Sequence, residues 1–534
     1  MSPALKSQLS VLAESAALYP DALAFRVPEI DPATGQVLRW DSVTYAQFLH
    51  DVEHFARYWS RAFVKDNIPQ RSVIGMWIGG LTYLDVLQIY GISRAGYTPQ
   101  LFSLKLPNPD VVFELLHRAN AKALVYDTAY ASAIREAHVP TYRGVDARTR
   151  DLSTVALPPL PNVDGRDTAM IFHTSGSTSG SPKLVPCSYI WLDSAIRKSY
   201  QVTKRIRPSG DVTVWLGSMC HIGQTSMLLG FLQHGACTVQ PPVISFSPAE
   251  LTDMIQRCGL NRLCQFAAFL AANFRRAMAD AKFRDMLLNL DEILYSGMPL
   301  SREEEQWALQ SGMKLINLFG STELGAILVS TGGRNPLLRQ LEGVSYEFRP
   351  IQQAAASGHE STARLYELVI LADSGDCPDA SLRHADGHFH TGDLFEIPVP
   401  GLYLARGRDD DWIKTQTSLR CDTKAIEDNV RATCSKIVAE CVVVGAGRPS
   451  PALFVEPIDD SADSGKLKKE IIRKIRHFHS RRYVHERIVS ANMIIIVPRN
   501  SLPRTAVKGN IRRKAVEDAF RTELDQAYAL ESGL

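Results

Sequence analysis

Short apolar runs bounded by turn residues alternate along this chain with longer segments of helical periodicity, and that alternation narrows the fold more than any other feature. Ser72-Val-Ile-Gly-Met-Trp-Ile predicts a buried strand, and Thr82–Ala95 the helix that follows it. Ala121-Lys-Ala-Leu-Val-Tyr, Val212-Thr-Val-Trp-Leu, Glu292-Ile-Leu-Tyr and Lys314-Leu-Ile-Asn-Leu repeat the strand signal. Strands covered by crossover helices on both faces read as continuous apolar runs, so the pattern predicts an α/β fold with mainly parallel sheets flanked by helices. At 534 residues the chain exceeds what one core holds, about 250–300 residues, so at least two packed units are expected.

The boundary is read near residue 408. Gly401-Leu-Tyr-Leu-Ala-Arg-Gly-Arg ends in a turn, the acidic triplet Asp409-Asp410-Asp411 follows, and a shorter strand–helix alternation begins. Residues 1–408 are therefore expected to form the large domain and 409–534 a small α+β domain. The small domain is strongly basic near its end, with 15 Lys/Arg against two Glu between Lys466 and Lys514. Leu467, Ile471, Ile472, Ile475 and Phe478 recur there at helical spacing. The pattern fits an amphipathic helix with a solvated basic face, or a docking surface for an acidic partner such as a carrier protein.

Composition excludes several classes. Hydrophobic residues make up 45% and charged residues 22%, an ordinary globular balance, and the formal charge is only +2, so neither nucleic acid nor a membrane surface is expected as a partner. No apolar run approaches the roughly 18–20 residues that span a bilayer, and the N-terminus lacks a secretory layout, which points to a cytoplasmic protein. The nine cysteines are scattered without a C-x-x-C spacing and read as small buried hydrophobes in a reducing compartment.

The chemistry-bearing segment is Ile171-Phe-His-Thr-Ser-Gly-Ser-Thr-Ser-Gly-Ser-Pro-Lys183. Glycines let backbone approach an anion, hydroxyls and N–H groups donate to phosphate oxygens, and a lysine adds a point charge. It is not a Walker loop, whose spacing does not occur. A Ser/Gly-rich turn alone is commonly just a loop, but four further blocks follow it in order. They are Asn317-Leu-Phe-Gly-Ser-Thr-Glu323, His390-Thr-Gly-Asp393, Gly407-Arg-Asp-Asp-Asp-Trp-Ile-Lys414 and Leu502-Pro-Arg-Thr-Ala-Val-Lys-Gly-Asn-Ile-Arg-Arg513.

Together these blocks resemble the adenylate-forming superfamily of acyl-CoA synthetases, firefly-type luciferases and peptide-synthetase adenylation domains. The loop Thr174–Lys183 resembles that family's phosphate loop with one extra residue around Ser179. The resemblance implies ATP-dependent activation of a carboxylic acid to an acyl-adenylate, then transfer to a phosphopantetheine thiol of a carrier or of CoA. It assigns the β- and γ-phosphates to Thr174, Ser175, Gly176, Ser177, Thr178, Gly180 and Lys183. It gives the α-phosphate to Thr322, Mg²⁺ to Glu323, the ribose hydroxyls to Asp393 and a fixed charge to Arg408. Gly297, Met298, Phe319 and Gly320 also fall at the nucleotide. Singly, each has a plainer reading: a Thr-Glu pair after a strand serves as a helix N-cap, and Thr-Gly-Asp as a turn. The pair His388 and His390 has no accompanying ligand cluster and is expected to be structural.

The family usually carries its catalytic lysine after a glycine. Here the order is Lys508-Gly509-Asn510-Ile511, as in fungal reductase-type synthetases, so Lys508 is the choice, with Lys514 and Arg504 as alternatives. Asp410 or Asp411 is the expected pivot on which the small domain rotates. Glu427 arrives about one residue later than the family spacing.

Amino-acid-activating relatives place an aspartate early in the acid pocket. The corresponding Gly217-Ser-Met-Cys-His-Ile-Gly-Gln224 has none, and a buried ammonium without a counter-charge is costly, which argues against α-amino acids. His221 takes the position where aryl- and acyl-activating relatives carry histidine or an aromatic; alone it also reads as a satisfied histidine ahead of a helix. Phe266, Ala267, Leu270, Gly297, Met298, Leu318 and Ala326 are the expected pocket walls, suiting an aryl acid first and a short-to-medium aliphatic acid second. The span after Lys514 is too short for a carrier domain, so the acceptor thiol is expected in trans or in a longer parent protein. The blocks look most like the adenylation domain of a fungal carboxylic acid reductase. A freestanding acyl-CoA synthetase, and a nucleotide- and acid-binding module without turnover, are the other readings.

Overall fold

The computed structural model describes the chain apart from residues 1–4, 104, 105, 107, 175–181, 298, 299, 301, 333, 334, 336, 351–365, 409–412, 417–419, 422, 504–510, 512, 533 and 534. The chain packs as two compact units, one of residues 1–104, 115–173 and 184–407, the other of 105–114, 174–183 and 408–534. The architecture is α/β, with a large N-terminal region of mostly parallel sheet and a smaller C-terminal one.

Among the described residues, the large region carries two sheets. Six strands form the first, in the order Thr141–Arg143, Ala123–Tyr126, Val73–Trp77, Thr98–Phe102, Thr168–Thr174, Lys183–Ser188. Val73–Trp77 pairs in parallel with strands on both sides, and its run of buried residues follows from that. The expected helix after it spans Tyr83–Arg94, opened by Thr82 and Asp85 in a reciprocal capping box. The second sheet has thirteen strands. Leu23–Ile30, Cys237–Val239, Val212–Val214, Arg262–Phe266, Glu292–Ser296 and Leu315–Ser321 run parallel to one another, and from Gly325–Ser330 onward the pairing turns antiparallel.

One apolar core lies between the two sheets. It gathers Phe25 and Val43 from one sheet and Ile74, Met76 and Phe172 from the other around helix residues Phe48, Phe55, Trp59, Leu87, Tyr90, Ile196 and Leu228. A second cluster covers the outer face of the large sheet with the helices Pro248–Cys258, Ala267–Ala279 and Ala281–Leu288. Ser247 and Glu250 cap the first of these, and Gly259 ends it in the left-handed conformation at φ +74°.

In the C-terminal unit, Val438–Val444, Ala452–Pro457 and Ile494–Ile496 make a three-stranded sheet, antiparallel then parallel. The basic segment forms the helix Ser464–Ser480, which buries Leu467, Ile471, Ile475 and His479 while Ile472 and Phe478 pack partly against the same core. Lys466, Lys469, Arg473 and Arg476 face outward, as an amphipathic helix requires. All nine cysteines are buried and none forms a disulfide. Among the described residues no helix is long and apolar enough to cross a membrane, and no cluster of three or more His, Cys, Asp or Glu could hold a metal ion.

The helices Tyr45–Lys65 and Tyr83–Arg94 approach each other closely at Gly91, where an added Cβ would stand 2.5 Å from the Cβ of Phe55. Neither backbone can retreat without reopening the central core. Gly91→Ala is expected to destabilise the large unit by about 1–3 kcal/mol, read as a lowered denaturation midpoint. A midpoint equal to wild type would show that the helix pair has slack.

Candidate active site

Ligand sites in α/β folds form at the carboxyl ends of the strands. Thr174 is the last residue of Thr168–Thr174, and Lys183 opens the next strand. Ser175, Gly176, Ser177, Thr178 and Gly180 lie outside the described residues. The residue before Thr174 shows how the strand end is held. His173 stacks on Phe102 with ring centroids 4.5 Å apart, its Nδ1 2.8 Å from the Leu101 carbonyl and its Nε2 3.1 Å from the Gln100 amide nitrogen. Burial pushes its pKa down to about 4, so it is a neutral ring that donates from Nδ1 to the carbonyl and accepts at Nε2.

Thr322, Glu323 and Leu324 form the turn of a hairpin between Leu315–Ser321 and Gly325–Ser330. The pair therefore does not cap a helix. Two glycines make the turn possible. Gly325 has φ +68°, and a Cβ on Gly320 would stand 2.6 Å from the Gly325 carbonyl oxygen, at a bulge in the pairing. The helix Tyr189–Val202 braces this turn: Trp191 Nε1 donates to the Glu323 carbonyl at 3.0 Å, and Lys198 Nζ to the Leu324 carbonyl at 2.7 Å. Lys198 also pairs with Asp376 at 2.6 Å. Burial pushes the Asp376 carboxyl up, but Lys198, Ser374 and Tyr346 outweigh it and hold the group below the ordinary range. Trp191, Lys198 and Asp376 carried no signal in the sequence.

Asp393 lies on Phe389–Val399 and is only 3% exposed. Thr391, Asp393 and Phe395 alternate on the buried face, and the Phe395 ring lies 5.2 Å from that of Phe319. The strand bearing the predicted ribose carboxylate is thus packed against the strand that leads to Thr322 and Glu323. Local bonds fix it: Asp393 N–H donates to Thr391 Oγ1, Thr391 Oγ1–H donates to the Leu368 carbonyl, and Gly392 N–H donates to Glu367 Oε1. His390 sits between Glu367 at 3.1 Å and Asp386 at 3.0 Å. Burial lowers its pKa, but the two carboxylates more than offset this and hold it above the ordinary histidine value. His388 instead accepts the Ala372 N–H at Nδ1, so the two histidines have separate structural tasks. Arg408 ends the strand Leu402–Arg408, and the pivot candidates Asp410 and Asp411 lie outside the described residues.

His221 directly precedes the helix Ile222–Gln233. The turn before it is held by Gln224, whose Oε1 accepts from the N–H groups of Leu216 at 2.7 Å and Gly217 at 3.2 Å. A Cβ on Gly217 would stand 3.3 Å from the Phe266 ring. Phe266, Leu318 and Ala326 come together in one apolar cluster with Leu216, Met227 and Leu294. Ala267 and Leu270 do not join them. They begin the helix Ala267–Ala279 and pack into the outer-face core with Phe274 and Tyr295, because a helix following a strand turns its side chains to the far side of the sheet. Gly297 has φ +90°, directly after Ser296, whose hydroxyl donates to the Leu318 carbonyl at 2.7 Å; Met298 lies outside the described residues.

In the C-terminal unit Lys508 and Arg504 lie outside the described residues. The alternative Lys514 is on the helix Arg513–Ala519 with its side chain 81% exposed, 3.6 Å from Asp518. Glu427 accepts from Val443 N–H at 2.8 Å and from Arg513 Nη1 at 2.6 Å, so it ties the helix Thr423–Cys434 to the segment after the lysine block.

Comparison with known proteins identifies the family. Residues 12–346 match the family described as AMP-binding enzyme, and residues 410–532 match the AMP-binding enzyme C-terminal domain. The AMP-binding domain-containing enzyme iboA of Amanita muscaria (strain Koide BX008) is 34% identical over 480 residues, covering 87% of this chain and 92% of iboA. Adenylate-forming reductase Nps11 of Serpula lacrymans var. lacrymans (strain S7.9) is 24% identical over 392 residues, covering 67% of this chain but only 33% of the reductase. Among solved structures, PA1221, a non-ribosomal peptide synthetase protein containing adenylation and PCP domains, superposes with a TM-score of 0.71 at 16% identity over 97% of both chains, which shows a shared fold. With a family match over most of its length and this degree of identity to iboA, the chain belongs to the AMP-binding family of adenylate-forming enzymes.

Proposed function

We propose that this enzyme uses ATP and Mg²⁺ to activate a carboxylic acid without an α-amine, an aryl acid foremost. It then passes the acyl group to the phosphopantetheine thiol of a carrier domain, in the manner of a carboxylic acid reductase. The observation that supports the proposal is the packing of Phe319, on the strand leading into the Thr322–Glu323 turn, against Phe395, two residues beyond the buried Asp393. In the first step an oxygen of the substrate carboxylate bonds to the α-phosphorus and the bond to the β-phosphate bridging oxygen breaks, releasing pyrophosphate. In the second the thiol sulfur attacks the acyl carbon, AMP leaves, and the thiol proton passes to solvent.

The chemical difficulty is crowded negative charge, so the residues act by position and electrostatics. Thr322 donates to the α-phosphate, Lys508 supplies cationic charge between carboxylate and phosphorus, and Thr174 and Lys183 border the loop for the outer phosphates. Asp393 accepts both ribose hydroxyls, a use that suits a carboxylate already withdrawn from water. Glu323, with the neighbouring Thr322 hydroxyl, offers an all-oxygen donor set that fits a hard cation. When bound there, Mg²⁺ neutralises phosphate charge. His221, with Phe266, Leu318 and Ala326, faces the acid. Rotation of the C-terminal unit about Asp410 or Asp411 separates the two half-reactions. A second reading, transfer to a soluble thiol such as CoA, is supported by the name of another relative, the Probable 2-succinylbenzoate–CoA ligase of Mycobacterium tuberculosis (strain CDC 1551 / Oshkosh), 24% identical over 382 residues.

Acid-dependent release of pyrophosphate is expected with benzoic or cinnamic acids and absent with α-amino acids, and turnover confined to amino acids would overturn the pocket reading. Lys508→Ala should lower that rate by about 10²–10³-fold. Retention of the wild-type rate would remove Lys508 from the site. Asp393→Ala should weaken ATP binding while leaving 2′,3′-dideoxy-ATP affinity unchanged, because only the former presents the diol; equal losses for both nucleotides would sink the ribose role.

The clamp next to Asp393 yields a pH prediction. His390 has a folded pKa above its ordinary 6.5, so its contribution is complete below about that pH and fades as pH rises through the folded value. The melting-temperature difference between wild type and His390→Gln should therefore shrink from mildly acidic to alkaline pH. A difference independent of pH would mean that His390 is not charged in the clamp.

A further inference from the structure

Thr322 and Glu323 ride on a turn whose following carbonyls are turned away from water. Both take donors from one helix: Trp191 Nε1 reaches the Glu323 carbonyl at 3.0 Å and Lys198 Nζ the Leu324 carbonyl at 2.7 Å. The two donors are seven residues apart, two helical turns, and so lie on one face. Lys198 and its partner Asp376 are 1% and 0% exposed. The ammonium group donates to Leu324 O, to Asp376 Oδ2 at 2.6 Å and to the Tyr346 hydroxyl at 3.3 Å, which uses all three protons. Asp376 accepts in addition from Tyr346 and, at 2.5 Å, from Ser374.

A buried ion pair of this kind is no better a stabiliser than well-packed apolar groups of the same volume. What it adds is a charged donor fixed in direction, and here that donor ends on the peptide following Leu324. Trp191 holds the peptide immediately after Glu323. On the other side of the turn the backbone is held by the ladder, Gly320 opposite Ala326 and Ser321 opposite Gly325. With both flanks held, the backbone that carries the Thr322 and Glu323 side chains is fixed on either side.

We propose that Trp191 and Lys198, the latter held in place by Asp376, are positioning residues that aim Glu323 and Thr322 at the metal and the α-phosphate. The inference rests on the assignment of those two residues made above. Its signature is the magnesium requirement for nucleotide binding, which a merely stabilising network would not alter.

The test titrates ATP into the intact protein by calorimetry across magnesium concentrations, for wild type, Trp191→Phe, the charge-neutral pair K198M/D376N, and Glu323→Gln. Trp191→Phe should raise the half-saturating magnesium concentration several-fold, and K198M/D376N by about tenfold to a hundredfold, as loss of outer supports to metal ligands does. Both should melt cooperatively and keep the wild-type KM for the acid. On the Glu323→Gln background Trp191→Phe should add nothing, since both act through one carboxylate. Unchanged magnesium dependence in Trp191→Phe and K198M/D376N, with Glu323→Gln shifted, overturns the positioning role alone, as does full additivity on that background. Should K198M/D376N fail to fold, Trp191→Phe decides. An unshifted Glu323→Gln overturns the assignment of Glu323 itself, and with it this inference.

Discussion

Backbone carbonyls buried away from water must find donors, and at the Thr322–Glu323 turn that requirement organises much of the large unit. Parallel strands run across the sheet as far as Leu315–Ser321, and there the chain doubles back as a hairpin instead of crossing over through a helix. The reversal brings a polar turn close to the core, where Leu324 is fully buried. Its carbonyls cannot be satisfied by the sheet, so Trp191 and Lys198 supply donors from the adjacent helix. Lys198 in turn requires a counter-charge, which Asp376 provides from a loop 178 residues away in sequence. One local change of strand direction thus commits a helix, a loop and a buried ion pair.

The same economy governs the strand that carries the proposed ribose carboxylate. Polar groups along the strand Phe389–Val399 are held from the neighbouring strand Tyr366–Ile370: Thr391 donates to the Leu368 carbonyl, Gly392 N–H donates to Glu367, and His390 pairs with Glu367. A neutral histidine, His173, performs the comparable service at the end of the first sheet, and one whose pKa is held above the ordinary value performs it here. The two rings differ because His173 meets a carbonyl and an amide in an apolar setting, whereas His390 lies between carboxylates.

Much of this was legible in the sequence. Val73–Trp77 and Tyr83–Arg94 follow the apolar run and the capping residues almost to the residue, since both signals are local. The ordered blocks from Thr174 to Lys508 pointed to the family because spacing between motifs carries information that no single motif has. What the sequence hid is of two kinds. Lys198 and Asp376 are individually unremarkable as residues, and only a long-range fold makes them partners. The direction of side chains after a strand was equally hidden: Phe266 faces Leu318 and Ala326, while Ala267 and Leu270, next along, pass to the opposite core.

The two ends of the proposed site, nucleotide and acid, are therefore held by different physics. The nucleotide end depends on directional hydrogen bonds and a compensated buried charge, in which loss of one member leaves another unsatisfied at high cost. The acid end is shaped by packing, with Gly217 leaving only room for the Phe266 ring and Leu318 and Ala326 filling the cluster beside it. Packing tolerates substitution that conserves volume, and one methylene alters affinity by only about 1–3 kcal/mol. On the proposed assignment, an enzyme built this way can change its acid through a few substitutions around Phe266 while its handling of ATP stays fixed. On that same assignment, the chemistry of adenylation and the choice of acid are separable because a rigid polar hairpin and a deformable apolar cluster meet at one strand, Leu315–Ser321.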